Sequence, residues 1–284
     1  MRTALVLGAS GAVGRFLLPR LVARGNRVLA LSRREQPDMP GVRWLRGDLP
    51  GGLPPLPPLD AIFSLGPLDA CARWYADSAV GCARIVALGS MSAESKRDSA
   101  DAGERALAAR LREAEARLMD AAGSRGAACT LLRPTLVYGA GIDRSLAPIA
   151  RFALRWRVFP LLPGARGLRQ PVHADDLAQG CLAACDRPLA SGRTYALGGG
   201  ERLPLSAMLE RVRASLGMPT LPLPVPLALA RTFMGGARRA GLPLSGTMID
   251  RAALDLVADH APAIADLGWT PRTFAPDASM WRMA

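Results

Sequence analysis

Short apolar runs alternate with stretches of helical periodicity through the first half of the chain. TALVLG at 3–8 is followed by a segment, 11–24, in which Val13, Phe16, Leu17 and Leu21 recur at helical spacing. RVLALS at 27–32, VRWLRG at 42–47, AIFSLG at 61–66, RIVALG at 84–89 and CTLLRP at 129–134 read as further strands. Strands separated by helices predict a parallel sheet with right-handed crossovers. Two connections, 33–41 and 49–59, are too short or too proline-rich for a full helix, so one face of the sheet is expected to be less covered. Beyond residue 140 the pattern loosens. Helices are predicted at 145–157, 175–185, 205–216, 226–239 and 247–258, with a short strand at 193–198. The apolar stretch 221–230 (LPLPVPLALA) carries three prolines and is too short for a membrane span, which leaves it as the entry to a helix.

Composition narrows the function classes. Half of the 284 residues are hydrophobic and about a fifth charged, as in a globular protein, and the length allows one large α/β domain with a smaller cap. The net charge of +12 invites a nucleic-acid reading, but the basic residues form no run. The densest set is Arg144, Arg151, Arg155, Arg157, Arg166 and Arg169, which suits a small anionic substrate better than a nucleic-acid groove. Of the 36 basic residues only Lys96 is a lysine. The five cysteines have no paired metal-ligand spacing, and no metal is expected. Cys181 and Cys185 read as two buried thiols on one helix. No signal peptide is recognisable, so the expectation is a cytoplasmic protein that engages neither membrane nor nucleic acid.

The strongest chemical signal is LVLGASGAVG at 5–14. Gly8, Gly11 and Gly14 stand directly between a strand and a helix, with Ser10, Ala12 and Val13 filling the loop. The first glycine suits a tight turn, the second lets backbone N–H groups approach a pyrophosphate, and the third lets helix and strand pack closely. At the end of the second strand, dinucleotide binders that use NAD place an acidic residue on the ribose 2′-hydroxyl. Here stand Ser32, Arg33 and Arg34, and guanidinium groups pair well with a 2′-phosphate. NADP is therefore favoured, with NAD left open.

With these motifs the chain resembles the extended and atypical short-chain dehydrogenase/reductase superfamily, in particular its NAD-dependent epimerase/dehydratase branch. The resemblance rests on LVLGASGAVGRFL, RGDL after the third strand, VALGSMS after the fifth, LLRPTLVYGAG at 131–141, QPVHADDLA at 170–178 and DLGWTPRTF at 266–274. It implies a Rossmann-type doubly wound parallel sheet with a small, mainly helical C-terminal substrate cap. Residues 1–140 would form the dinucleotide-binding core; 141–284 would complete the core and form the cap. The resemblance places Asp48 and Leu49 near the adenine and adds Leu65, Gly66 and Pro134 to the cofactor set. Ser90 and Ser92 would lie where the family keeps a hydroxyl that bonds the reacting oxygen. Arg133, Pro134 and Tyr138 would border the nicotinamide and substrate. His173 and Asp176 would begin the helix supporting the cap, with a structural role for His173 and an N-cap role open to Asp176.

One family feature is missing. The chemistry of the resemblance uses Tyr-x-x-x-Lys on the helix after the fifth strand, where a phenol moves a proton and an ammonium one turn on lowers its pKa. The three tyrosines, Tyr75, Tyr138 and Tyr195, are followed four residues on by Ala79, Ile142 and Gly199, so no such pair occurs in the sequence. The family often adds a Glu four residues beyond the lysine, and setting Glu115 there puts Leu107 and Leu111 at the tyrosine and lysine positions. Substitutes include Tyr138, and Glu94 or Lys96 in the segment after Ser92. Two functions compete: a divergent NADP-dependent oxidoreductase or epimerase on an anionic small molecule such as a nucleotide sugar, or a non-catalytic dinucleotide-binding sensor or assembly factor. Substrate, oligomeric state and pathway stay open at this point.

Overall fold

The computed structural model describes residues 2–49, 52–143, 145–226 and 249–281. Within them the chain divides into two compact units, one of residues 1–134, 175–197 and 259–270, the other of 135–174, 198–258 and 271–284.

The first unit is built on seven strands, β1 Thr3–Leu7, β2 Arg27–Ser32, β3 Val42–Arg46, β4 Leu59–Ser64, β5 Cys82–Leu88, β6 Ala128–Pro134 and β11 Thr194–Leu197. They lie in the order β11-β6-β5-β4-β1-β2-β3, and every neighbouring pair is parallel. This is a doubly wound Rossmann-type sheet, as the alternation of runs implies. β1, β2 and β4 are almost continuously apolar and buried because a sheet covered on both faces leaves no side for polar residues. Edge strand β3 differs: only Leu45 is buried there, and among the described residues no helix forms over 33–41 or 52–58. The prolines that forbid those helices leave β3 half-exposed, as expected.

Helix α1 (Gly14–Ala23) follows β1, and α2 (Leu68–Asp77) follows β4. After β5 come a single turn, α3 (Ser92–Ser95), and the long α4 (Ala102–Ser124). α4 begins where Asp101 accepts the Glu104 N–H at 2.7 Å, a side-chain N-cap. Ala108, Ala114, Leu118 and Ala122 recur at helical spacing and are buried; the last three pack with Leu68, Cys71, Ala72 and Tyr75 of α2 in one apolar cluster. α6 (Ala174–Asp186) precedes β11, and α8 (Ala261–Leu267) packs on it. Gly180 of α6 leaves the room that the Trp269 ring occupies, since a Cβ there would stand 2.8 Å from it.

The second unit has its own core of Tyr138, Leu146, Ile149, Phe159, Met208, Phe274, Trp281 and their neighbours. Its elements are β7 (Val137–Tyr138), α5 (Ala147–Trp156), β8 (Val158–Leu161), β9 (Leu168–Arg169), β10 (Val172–His173), β12 (Leu203–Pro204), α7 (Leu205–Ala214) and β13 (Leu221–Pro224). α5 starts where the Asp143 carboxylate accepts the N–H groups of Ser145, Leu146 and Ala147 at 2.7–3.1 Å.

Two predicted helices are corrected. Residues 221–224 form β13, a parallel partner of β8, because alternating prolines permit an extended edge and forbid a helix. Residues 251–258 form turns, a bend and an isolated bridge of Leu256 to Arg169, so the predicted 247–258 helix does not extend there. The predicted helix 226–239 lies, apart from residue 226, outside the described residues, as does Arg144. No helix among the described residues is long and apolar enough to cross a membrane.

Candidate functional site

In the sheet of the first unit, strand order reverses between β1 and β4, and the crevice above the C-terminal ends of those strands is where such sheets bind ligands. The glycine loop stands at that point. Gly8 has φ +75°, and a Cβ on it would lie 2.7 Å from the Gly66 nitrogen and 2.8 Å from the Leu65 carbonyl carbon. The turn after β1 therefore presses against the backbone leaving β4, which only a residue without a side chain permits. At Gly14 a Cβ would fall 2.0 Å from the Ala9 carbonyl oxygen, so this glycine serves close packing of helix against turn. Gly11 is different. Its N–H donates to the Gly8 carbonyl at 2.9 Å, and a Cβ would meet only that oxygen, at 3.0 Å. Its other side is open above the start of α1, whose N-terminal N–H groups and dipole favour an anion.

The residues around the loop sit as the sheet requires. Ser32 ends β2 buried, and its hydroxyl accepts the Arg34 N–H at 3.2 Å, while Arg33 and Arg34 are exposed. Asp48 is exposed and Leu49 partly buried beyond β3; Leu65 and Gly66 are partly buried and Pro134 buried at the ends of β4 and β6. A cavity of about 320 Å³ beside the loop is lined by Ser10, Arg15, Leu18, Gln36, Asp38 and Trp44, among others. Larger cavities of about 480 and 580 Å³ lie elsewhere in this unit; the former takes in the strand starts at Thr3 and Asp60, away from the C-terminal edge. The C-terminal strand ends, the glycine loop and the Ser90 and Ser92 hydroxyls lie at the opposite edge from Thr3 and Asp60.

Beyond β5 the backbone turns at Gly89 and Ser90. The Ser90 hydroxyl accepts the Ser92 N–H at 3.1 Å, which leaves its own hydrogen free to donate. Both serines are partly exposed. Arg133 fixes this region. Its Nε and a terminal nitrogen donate to the two carboxylate oxygens of Glu115 at 2.9 and 2.5 Å, and its other terminal nitrogen to Glu94 at 2.6 Å. The fork-shaped pair holds the guanidinium charged and raises its pKa above the usual arginine range, chiefly through Glu115. Glu115 is buried in α4, and a Cβ at Gly89 would stand 2.7 Å from its Oε1. Gly89 therefore makes room for the carboxylate. Arg133 and Glu115 were each legible in the sequence but not their pairing, since Gly89 in the turn after β5, Glu115 on α4 and Arg133 on β6 are joined only by the fold.

On α4, Leu107 and Leu111 are half-buried on the side that Ala108, Ala114 and Glu115 continue, and Arg110 is exposed. Glu104, one turn before Leu107, pairs with Lys96 at 2.8 Å.

In the second unit Tyr138 is 0 % exposed. Its ring meets His173 edge-on at 5.1 Å and Phe274 at 4.8 Å, and its hydroxyl donates to the Thr273 carbonyl at 3.5 Å. Gly139 exists beside it for the same packing, because a Cβ there would overlap His173 Nε2. His173 is thus held among core side chains. Three arginines of the arginine-rich segment are engaged within this unit. Arg169 is buried, donating to the carbonyls of Leu168, Leu254 and Arg251, and burial lowers its pKa to about 10. Arg155 lies over the Trp156 ring, and Arg157 reaches Met218. The five cysteines are free; burial pushes Cys71 up to about 11 and Cys129 to about 12, and raises Cys181 further.

No family model matches the chain. Among curated proteins it is 25 % identical over 159 residues to a UDP-glucose 4-epimerase of Vibrio cholerae, covering 56 % of this chain and 47 % of that protein. It is 30 % identical over 156 residues to the mitochondrial NADH dehydrogenase [ubiquinone] 1 alpha subcomplex subunit 9 of Arabidopsis thaliana, covering 50 % and 38 %. A 2-alkyl-3-oxoalkanoate reductase of Stenotrophomonas maltophilia (strain K279a) is 26 % identical over 253 residues, with 76 % of each chain covered. The matched region spans about half or less of the first two relatives. Among solved structures, UDP-glucuronic acid 4-epimerase of Bacillus cereus in complex with UDP-glucuronic acid and NAD superposes with a TM-score of 0.68 at 11 % identity, covering 96 % of this chain and 95 % of that one.

Proposed function

We propose that the chain is a member of the short-chain dehydrogenase/reductase superfamily, an NAD(P)-binding protein of the epimerase/dehydratase type and a divergent oxidoreductase or epimerase acting on an anionic small molecule such as a nucleotide sugar. The observation that carries this reading is the apposition of Gly8 to Leu65 and Gly66 at the switch point of the sheet, with Gly11 left open above α1. A turn packed that tightly against its neighbour, yet open toward the strand ends, is what a pyrophosphate needs. The relatives and neighbours lend the substrate class, since two of them are named for UDP-sugars.

Gly8, Ser10, Gly11, Ala12, Val13 and Gly14 hold the pyrophosphate in this proposal, with Ser32, Asp48, Leu49, Leu65, Gly66 and Pro134 along the adenosine and nicotinamide. Arg33 and Arg34, exposed past the end of β2, favour NADP through its 2′-phosphate. When bound, the nicotinamide supplies hydride transfer. Ser90, whose hydroxyl hydrogen is free, and Ser92 donate to the reacting oxygen, while Arg133 with Glu115 and Glu94 fixes the backbone that carries them. We place Tyr138 in packing rather than in proton transfer, because its ring has no exposed surface and its hydroxyl is turned to a carbonyl.

A second reading is favoured by two observations: no Tyr-x-x-x-Lys occurs in the chain, and the match of highest identity among those above is a subunit of NADH dehydrogenase. In that reading this chain binds a dinucleotide as a structural ligand and turns nothing over. Titrating the protein with NADPH and NADH, followed by assaying UDP-glucose and UDP-glucuronic acid for conversion, separates the readings. Binding of either dinucleotide with slow conversion supports the divergent enzyme; binding without conversion supports the second reading; no binding of either overturns both.

A further inference from the structure

Thirty-five of the 36 basic residues are arginine, and the exception stands in the segment after Ser90. Lys96 closes α3, its N–H directed at the Ser92 carbonyl at 3.3 Å. Its side chain is only 14 % exposed, and Nζ lies 2.8 Å from Glu104 Oε1, on a side chain itself 12 % exposed. The other oxygen of Glu104 accepts the Ser99 hydroxyl at 2.8 Å, so the carboxylate is held from two sides. Glu104 sits in the first turn of α4, one turn before the half-buried Leu107. An ammonium has three donors. Glu104 stands on one side of the ammonium as its ion-pair partner, and no other ion pair of Lys96 occurs among the described residues. The remaining donors are therefore open to an incoming anionic oxygen.

We infer that Lys96, oriented by Glu104, is a contact for an anionic oxygen of the substrate, a carboxylate or phosphate. The inference rests on the reading that the reactants gather at the C-terminal edge of the sheet near Ser90 and Ser92. It adds to that reading a specific cation, in the segment after Ser92.

Because the chain has a single lysine, reductive ¹³C-methylation labels one side chain besides the terminal amine, and loss of one resonance in Lys96→Arg assigns it. The labelled protein is titrated with inorganic pyrophosphate, UDP-glucose and UDP-glucuronic acid, each with and without NADPH, while cofactor fluorescence is followed in the same tubes. The expected result is a saturable shift of the Lys96 resonance and, in Lys96→Met, at least tenfold weaker binding of the same anion with an unchanged circular dichroism spectrum. A shift with pyrophosphate and both nucleotide sugars identifies a phosphate; a shift with UDP-glucuronic acid alone identifies a carboxylate. A resonance that stays still with all three probes, or Lys96→Met binding them as the unmutated chain does, overturns the inference even where NADPH binds. A shift without NADPH binding sustains the Lys96 contact and overturns the dinucleotide reading.

Discussion

The turn after β1 and the first turns of α4 lie in the same unit and have fared oppositely. Around the glycine loop, each of the three glycines has a distinct geometric reason: Gly8 for its φ of +75° and the backbone of Gly66, Gly14 for the Ala9 carbonyl, and Gly11 for an open approach. On α4 the positions that the resemblance gives to a phenol and an ammonium carry Leu107 and Leu111, while the Glu115 carboxylate one turn on keeps a buried, bidentate partner in Arg133. In the proposed reading, the seat of a dinucleotide and the frame around a reaction are kept and the family's usual proton relay is not. Binding and proton transfer make separate demands on a fold, and one can be relaxed while the other is kept.

The sharpest way to break the comparison is at the loop. Gly14→Val forces a side chain into the Ala9 carbonyl and should destabilise the protein by about 3 kcal/mol, seen as a lower denaturant midpoint. Gly11→Val should leave that midpoint nearly unchanged and abolish dinucleotide binding. If Gly11→Val binds NADPH normally, the loop is not the phosphate site.

Glu115→Ala tests the frame. It strips Arg133 of two of its three carboxylate contacts beside a mostly buried guanidinium and should cost about 2–3 kcal/mol in chemical denaturation. A cost near zero would mean that Glu94 alone suffices to hold Arg133.

A smaller and more selective effect is expected at the end of β2. Arg33→Ala should weaken NADPH by about 1–3 kcal/mol while leaving NADH unchanged, read by paired fluorescence titrations. Equal affinity for the two cofactors in the unmutated chain would remove the case for NADP.

The smallest effect concerns the helix. Leu107→Tyr with Leu111→Lys should raise conversion of UDP-sugars only slightly, because neighbouring side chains packed around two leucines do not orient a phenol and an ammonium. A large gain would show that the rest of the machinery was intact.

Much of the sheet was legible because buried parallel strands write themselves as unbroken apolar runs: LVL, VLAL and IVAL fall within β1, β2 and β5. The bare connections were legible from their prolines. The apolar 221–224 stretch misled because apolarity without periodicity fits helix and edge strand alike, and pairing with β8 decides between them. At the site, glycines announced the loop through a strict local geometry. The Arg133 network and the burial of Tyr138 depend on residues far apart in sequence, such as Phe274, which no local pattern links.

The central claim is that an intact dinucleotide seat faces an apolar wall on α4, and a crystal structure of the protein with NADPH tests it most directly. The account predicts the pyrophosphate over Gly11 at the start of α1 and the nicotinamide ribose within about 4 Å of the Leu107 and Leu111 side chains, in van der Waals contact. A ribose hydrogen-bonded instead to Arg110 or another polar side chain of α4, with the leucines turned away, would contradict it.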